Sequence, residues 1–452
     1  YHAAHANAPR PPLFHRSPRV SAQSLPDAPS PPGLPILGQA PELRRDPLGA
    51  MLRWGRDFGP VVRLQLLHQP AYLVADPQGI KHILVDNNRN YVKETRGYDA
   101  LRLILGQGLL TSEGELWRRQ RRIAQPAFKR ERLAALLPAM DRAGRAAAQR
   151  LDALADRGAT VDLHREMTRL TLHIASETLL GRDVSGDADA VGRALNIGLA
   201  EAEARINGTA LPLWVPTPRN RRLRWALALL RRVMDETLRT RRAGPAVPDL
   251  LQLLLDARDE ETGQGMSDSQ LMDEILTMFL AGHETTANQL TWTLYLLAQP
   301  ENRAAAETLR QEHLRFWAEQ GDRTPTPTDL RRLRYSDLVL RESMRLFPPA
   351  WIFSRAPVED DAVCGFRVRA KAWVFVSPYV MHRLPSLWPE PERFLPERFE
   401  NDNGEDGDGE RPRYAYFPFG GGPRLCIGSN FAALESLVLL ARLWPRYQIS
   451  LD

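Results

Sequence analysis

FGGGPRLCIG, Phe419 to Gly428, leads directly into the helix-like run SNFAALESLVLLARL. It carries Cys426, one of only two cysteines in 452 residues. Cysteine often serves as a small buried apolar side chain, but the surroundings here suit a different role. Gly420, Gly421 and Gly422 clear side chains from the approach and allow positive φ, and Pro423 stiffens the turn. A helix that begins after Gly428 aims its N-terminal amides at whatever the sulfur holds, a setting that favours a thiolate. A phosphate-cradling loop is the rival reading. It fails because no Lys-Ser/Thr pair follows the glycines and the G-x-G-x-x-G spacing is absent.

The rest of the chain is large enough to build a scaffold around that turn. It is 43% hydrophobic and 25% charged, the composition of an ordinary globular protein. No Gly/Ser-rich linker or internal repeat divides it, which predicts one large domain over residues 31–452. Residues 1–30, with PRPP and PDAPSP, can bury little and are expected to be extended or disordered. No run of 18 apolar residues occurs, so no transmembrane anchor is expected, and the N-terminal segment lacks the apolar centre of a secretory signal. Cys364 and Cys426 make neither a disulfide framework nor a zinc site, which fits a cytoplasmic location. The net charge of +5 comes mostly from arginine and reads as solvated surface, with no nucleic-acid partner implied.

Hydrophobic periodicity predicts a mainly α protein with small β-sheets at one side, an α+β class. Apolar residues recur at helical spacing from Gly114 to about Ala155 (broken near Pro126 and Pro138), Val161 to Leu180 and Arg221 to Arg242. VVRLQL (61–66) and AYLVAD (71–76) predict a hairpin, and residues 366–381 a second strand pair. Ser267 and Gln270 form a capping box before about 30 mostly apolar residues that end at Pro300, long enough to span roughly 45 Å. The middle of that helix carries Ala281-Gly282-His283-Glu284-Thr285-Thr286, a costly sequence for a buried helix by propensity alone.

Phe419, Gly422, Arg424, Cys426 and Gly428 match F-x-x-G-x-R-x-C-x-G, and on these residues the chain resembles the cytochrome P-450 family of haem-thiolate monooxygenases, of the soluble bacterial type. The resemblance runs from about Pro31 to Asp452 and implies a triangular helical domain, with a long central helix above the haem and a Cys-ligand loop below. It implies haem b (iron protoporphyrin IX) with Cys426 as the axial iron ligand, Phe419 beside the sulfur, Arg424 on a propionate, and Gly422 and Gly428 letting the loop lie close to the macrocycle. Many members continue past the position of Asp452 into a short hairpin over the substrate.

Three further patterns gain meaning from the resemblance. Glu342 and Arg345 in LRESMRL would ordinarily be a surface i, i+3 pair. Followed by P-E-R-F, they resemble the family's E-x-x-R motif, completed by Arg398 in preference to Arg393 as a buried structural triad. AGHETT resembles the oxygen-activation motif, which places Ala281 above the haem and gives Glu284 and Thr285 the proton delivery. A threonine there could also simply bond back to the carbonyl four residues earlier. Trp117 and Arg121 match W-x-x-x-R, whose two side chains contact a propionate, and Arg355 stands where relatives often place another propionate arginine.

By the same resemblance, Leu101, Ile104, Leu105, Leu213, Ala350, Trp351, Ile352 and Phe353 line the pocket and imply a small apolar substrate such as a fatty acid, terpenoid or polyketide. Arg96 or Arg102 could meet a substrate carboxylate. Electrons would come from NAD(P)H through a ferredoxin or flavodoxin with its reductase. The partner would dock on a monomer near Arg118, Arg119, Arg122, Lys129 and Arg130, unless these only form a solvated face. Peroxide-driven relatives replace the acid and hydroxyl by arginine and proline, and this chain keeps both. A peroxide-driven or rearranging enzyme and a non-catalytic haem protein are the alternatives.

Overall fold

The computed structural model describes residues 24–180, 185–206, 208, 211–247, 249–401 and 411–451. Most of the proline-rich beginning, residues 1–23, lies outside them. The principal helices are α1 (Arg96–Leu105), α2 (Gly114–Ala124), α3 (Leu137–Ala155), α4 (Leu163–Leu180), α5 (Ser185–Ile206), α6 (Pro218–Ala243), α7 (Asp268–Ala298), α8 (Arg303–Gln320), α9 (Arg334–Leu346) and α10 (Ser429–Leu443). The strands are β1 (Val61–Leu66), β2 (Gln69–Val74), β3 (Tyr91–Val92), β4 (Phe353–Pro357), β5 (Asp361–Val363), β6 (Phe366–Val368) and β7 (Trp373–Val376).

The long helix α7 begins where its capping box dictates. Gln270 N–H donates to Ser267 Oγ at 3.3 Å, and Ser267 N–H donates to Gln270 Oε1 at 3.1 Å. It ends at Gln299, whose extended backbone is what a following proline demands. Between these ends Leu271, Phe279, Ala287, Leu290 and Leu294 are buried, so α7 is the axis of the main core. It packs along α4, where Thr171 Oγ1 donates to the His283 carbonyl at 2.8 Å. The family's α+β expectation is met: the helices share this core, and a second, smaller one surrounds the sheet.

The sheet has the order β1-β2-β7-β4-β3. β1 and β2 form the expected hairpin, but residues 366–381 do not form a strand pair. β6 pairs with β5, whereas β7 runs parallel to β2 and antiparallel to β4. Two features break the expected hairpin. Lys371 takes positive φ between the strands, and Pro378–Met381 forms a helical turn capped by Ser377. Alternation in VFV marks burial in the central sheet, where Val374 and Val376 have no exposed surface.

Candidate active site

The Cys426 loop is set by two short backbone bonds. Cys426 N–H donates to Phe419 O and Leu425 N–H to Gly422 O, each at 3.0 Å. Gly422 has φ +63, and a Cβ there would stand 1.9 Å from Leu84 O, so only glycine fits. The Cys426 side chain has exposed surface, yet desolvation is the largest influence on its thiol and raises its pKa. A group on the floor of an interior cavity has both properties. The Gly428 and Ser429 N–H groups and the Arg121 cation act in the opposite direction, favouring the thiolate.

Above the loop, α7 is mostly buried, with exposed residues at its motif and again at Trp292 and Tyr295. Ala281 and Thr285 are exposed in the middle of a core helix, and Gly282 leaves open space beside them. Helices α7 and α10 meet at Thr286 and Glu435 and again at Gln289 and Ser436, so the helix that carries the Ala281–Thr285 motif packs on the helix that follows the Cys426 loop. Thr285 Oγ1 donates to Ala281 O at 2.6 Å, the local back-bond. Glu284 is partly buried, and desolvation raises its pKa, with His164 opposing.

One wall of the cavity collects cations from three parts of the chain. Arg424 donates to Ser112 O at 3.0 Å and to Glu113 Oε2 at 2.5 Å, with its guanidinium over the Trp117 ring. Arg355 is buried and donates to the Tyr98 hydroxyl at 3.1 Å. Lys93 is buried and donates to Leu110 O at 2.6 Å. Desolvation, and then the charges of Arg355 and Arg424, push the Lys93 pKa well below the usual lysine value. Desolvation likewise pushes Arg424 down to about 10. Arg424, Arg355 and Lys93 thus lie within electrostatic reach of one another, and Glu113 is paired with Arg424. The excess positive charge suits a dianionic ligand, as the two propionates of haem require, and the glycine turn leaves a flat floor with a sulfur in it.

Arg121 Nη1 donates to Leu425 O at 3.0 Å, so in the structure this arginine braces the cysteine loop. Sequence reading missed Lys93, Glu113 and Tyr98; a lysine inside the short strand segment YVK was the one available signal.

Beneath the loop, Arg345 and Glu342 have no exposed surface. Arg345 Nε donates to Glu342 Oε2 at 2.7 Å and Nη2 to Oε1 at 2.9 Å, and Arg398 Nε donates to Glu342 Oε1 at 3.1 Å. Arg345 also reaches the carbonyls of His382, Pro391 and Arg393. Arg393 offers its backbone alone, while its side chain pairs with Glu390 at the surface.

Several pocket expectations are corrected. Leu105 is 1% exposed and faces the main core, and Ile104 packs against Gly198 of α5; burial against helix partners outweighs their place beside the cavity. Arg102 is committed to Asp99, Thr111 O and Lys93 O, which leaves no free fork for a substrate carboxylate. Arg96 packs near Gly208. Leu101, Leu213, Trp351, Ile352 and Phe353 are partly buried, and Ala350 is exposed.

Fold and site together define a mainly helical protein with a cysteine in a glycine-rich loop and a long core helix carrying the AGHETT motif. The chain belongs to the cytochrome P-450 family, whose model matches residues 28–452. It is 36% identical over 425 residues to cyclooctatin synthase of Streptomyces melanosporofaciens, covering 93% of this chain and 89% of that one. It is 32% identical to cyclooctat-9-en-7-ol 5-monooxygenase of the same organism, with the same coverage. The Arabidopsis thaliana chloroplastic protein LUTEIN DEFICIENT 5 is 32% identical over 87% of this chain and 68% of its own length. The protein is accordingly a haem-dependent P-450 monooxygenase. Among the described residues no helix is long and apolar enough to cross a membrane.

Proposed function

We propose that the enzyme inserts one oxygen atom from O2 into a C–H or C=C bond of a terpenoid, using electrons delivered by a separate ferredoxin or flavodoxin. The observation that carries the reading is the intact Glu284–Thr285 pair, with Thr285 exposed beside Ala281 in the middle of a mostly buried helix. The terpenoid assignment draws on the two Streptomyces relatives, one of which bears the name cyclooctat-9-en-7-ol 5-monooxygenase.

Haem b would be held by Cys426 Sγ, with Arg424, Arg355, Lys93 and Trp117 at its carboxylates; it supplies dioxygen binding and reductive activation. The residues of the chain do the rest. Partly buried Trp351, Ile352 and Phe353 offer an apolar wall for a hydrocarbon skeleton. Small Ala281 leaves space on the cavity face of α7, and open space beside Gly282 allows the helix to accommodate a small ligand. Thr285 Oγ1 exchanges its bond to Ala281 O for one to the reacting oxygen and holds a proton there. Glu284, whose pKa is raised by burial, replenishes that proton from the solvent side near His164.

On the donor face Arg119 and Arg122 are tied to Asp259, and Arg122 also to Glu261, which leaves exposed Lys129 and Arg130 as the steering charges for an acidic donor. The test is a spin-state titration of purified holoprotein with cyclic terpene alcohols, fatty acids and polyketides. Turnover with NAD(P)H, ferredoxin and ferredoxin reductase follows. A terpenoid that shifts the spin state and is oxidised supports the reading; a response to fatty acids alone, or product formation with peroxide only, overturns it.

A further inference from the structure

His82–Asp86 is a π-helical turn, closed by Asn87 N–H donating to His82 O at 2.8 Å. Such wide turns are rare, strained and concentrated at functional places. This one is held from outside by a single oxygen. Asp361 Oδ2 accepts from His82 Nε2 at 2.8 Å, Asn87 Nδ2 at 3.0 Å and Tyr91 Oη at 2.7 Å. His82 and Asn87 are the two residues that close the turn, so one carboxylate on β5 ties both ends of it together.

The far side of the turn meets the cysteine loop. Leu84 O lies where a Gly422 Cβ would otherwise stand, at 1.9 Å, and Val85 Cγ2 lies at 3.5 Å from the same point. Gly422 O in turn accepts Leu425 N–H, immediately before Cys426. Displacing the Leu84 carbonyl therefore displaces the glycine on which the tight turn to the sulfur is built. Cores and tight turns respond to such shifts as a unit, because there is no free volume to absorb them.

We propose that Asp361 and His82 are positioning residues for Cys426: by stapling the His82–Asp86 turn they hold the Leu84 carbonyl against Gly422 and fix the seat of the sulfur. The inference rests on the reading of Cys426 as the haem iron ligand. The charged groups facing the staple are Asp361 from β5 and Lys81 and Asp86 from its own segment, with the Tyr91 hydroxyl from β3. Its hydrogen bonds hold Asp361 down at about 2, and Asp361 raises the His82 pKa. The staple is charge-assisted while His82 is protonated and weakens as pH rises through its raised pKa.

The test uses full-length holoprotein carrying His82→Gln, His82→Ala or Asp361→Asn, with two readouts across the neutral pH range. These are the midpoint potential and the ratio of thiolate-type to thiol-type bands in the reduced carbon monoxide complex. Wild type should show a pH step in the thiolate fraction. His82→Ala should lose the step and lower the thiolate-to-thiol ratio roughly ten- to hundredfold, the loss expected for one charge-assisted hydrogen bond. His82→Gln, which can still donate to Asp361, should retain the ratio without the step. A wild-type spectrum with no thiolate band would overturn the ligand reading itself. A thiolate band with identical ratio, potential and pH response in wild type and His82→Ala would overturn the staple alone. If Asp361→Asn fails to load haem, the two His82 variants still decide the matter.

Discussion

The guanidinium carbon of Arg424 lies 3.8 Å from the centroid of the Trp117 ring, while the nitrogens of the same group hold Ser112 O and Glu113 Oε2. The indole therefore orients a cation that carries a buried ligand charge. Stacking of this kind is worth about 1 to 2 kcal/mol when desolvated. Trp117→Ala should release haem roughly five- to thirtyfold faster to an excess haem-binding acceptor protein, and Trp117→Phe should keep most of the retention. An unchanged transfer rate in Trp117→Ala would remove the indole from cofactor binding.

Arg345 is the most exacting position beneath the loop. It makes a two-pronged bond to Glu342 and three more to backbone carbonyls, with none of its surface exposed. Truncation leaves Glu342 as an uncompensated buried charge apart from Arg398, a loss of roughly 3 to 5 kcal/mol. Arg345→Ala should accumulate as insoluble, haem-poor protein. Arg345→Lys should recover little, since an ammonium cannot serve five acceptors in one plane. Soluble yield and the haem-to-protein ratio measure both. A soluble, fully loaded Arg345→Ala protein would mean that the triad does not support the loop.

How much of this was legible in the sequence follows from how local each signal is. The cysteine loop, the Glu342–Arg345 pair and the AGHETT run each fit within a few turns, so each could be matched to a short motif of the family the chain resembles. The capping box at Ser267 is just as local and fixed the start of α7. Lys93, Glu113, Arg355 and Arg424 become one cluster only when separate elements fold together, and no spacing announces that. His82 and Asp361 meet across 279 positions. Ile104 and Leu105 were misplaced because an apolar residue next to a pocket and one in a core have the same pattern; only packing against α5 and α7 separates them. The strand pair expected at 366–381 failed because period two does not reveal partners, and β7 chose β2 and β4.

Two buried acids outside the catalytic motif predict an asymmetric pH dependence of stability. Desolvation raises Glu274 from 4.5 to about 7 and Glu435 from 4.5 to about 8. A carboxyl with a raised folded pKa binds its proton more tightly folded than unfolded, so stability falls as pH rises between the unfolded and folded values. At about 1.4 kcal/mol per pKa unit the upper limit is on the order of 3 to 5 kcal/mol for each group. The melting temperature of wild type should therefore drop from about pH 4.5 to about pH 8 more steeply than that of the Glu274→Gln, Glu435→Gln double variant. Calorimetry across this range measures the slopes. Parallel curves would show that both carboxyls remain in one protonation state throughout.

Thr285 offers the sharpest separation between a structural and a chemical role. Its hydroxyl donates to Ala281 O at 2.6 Å, a bond a helix does not need, since that carbonyl already takes part in the helical ladder. Losing it should leave stability within about 0.5 kcal/mol, the usual range for a substitution at a position with exposed surface. The chemical consequence should be much larger. Without a hydroxyl on the cavity face, proton delivery to the reacting oxygen is no longer directed, and reducing equivalents should emerge as hydrogen peroxide. Thr285→Ala should consume NAD(P)H at a rate near wild type while product per NAD(P)H falls roughly tenfold, within the range typical of lost proton-transfer catalysis. Thr285→Ser, which restores the hydroxyl, should recover most of the coupling, whereas Thr285→Val, which restores only the shape, should not. Product and peroxide are measured in the same reaction. Full coupling in Thr285→Ala would assign the proton to another donor, and recovery by valine equal to that by serine would make the residue a spacer.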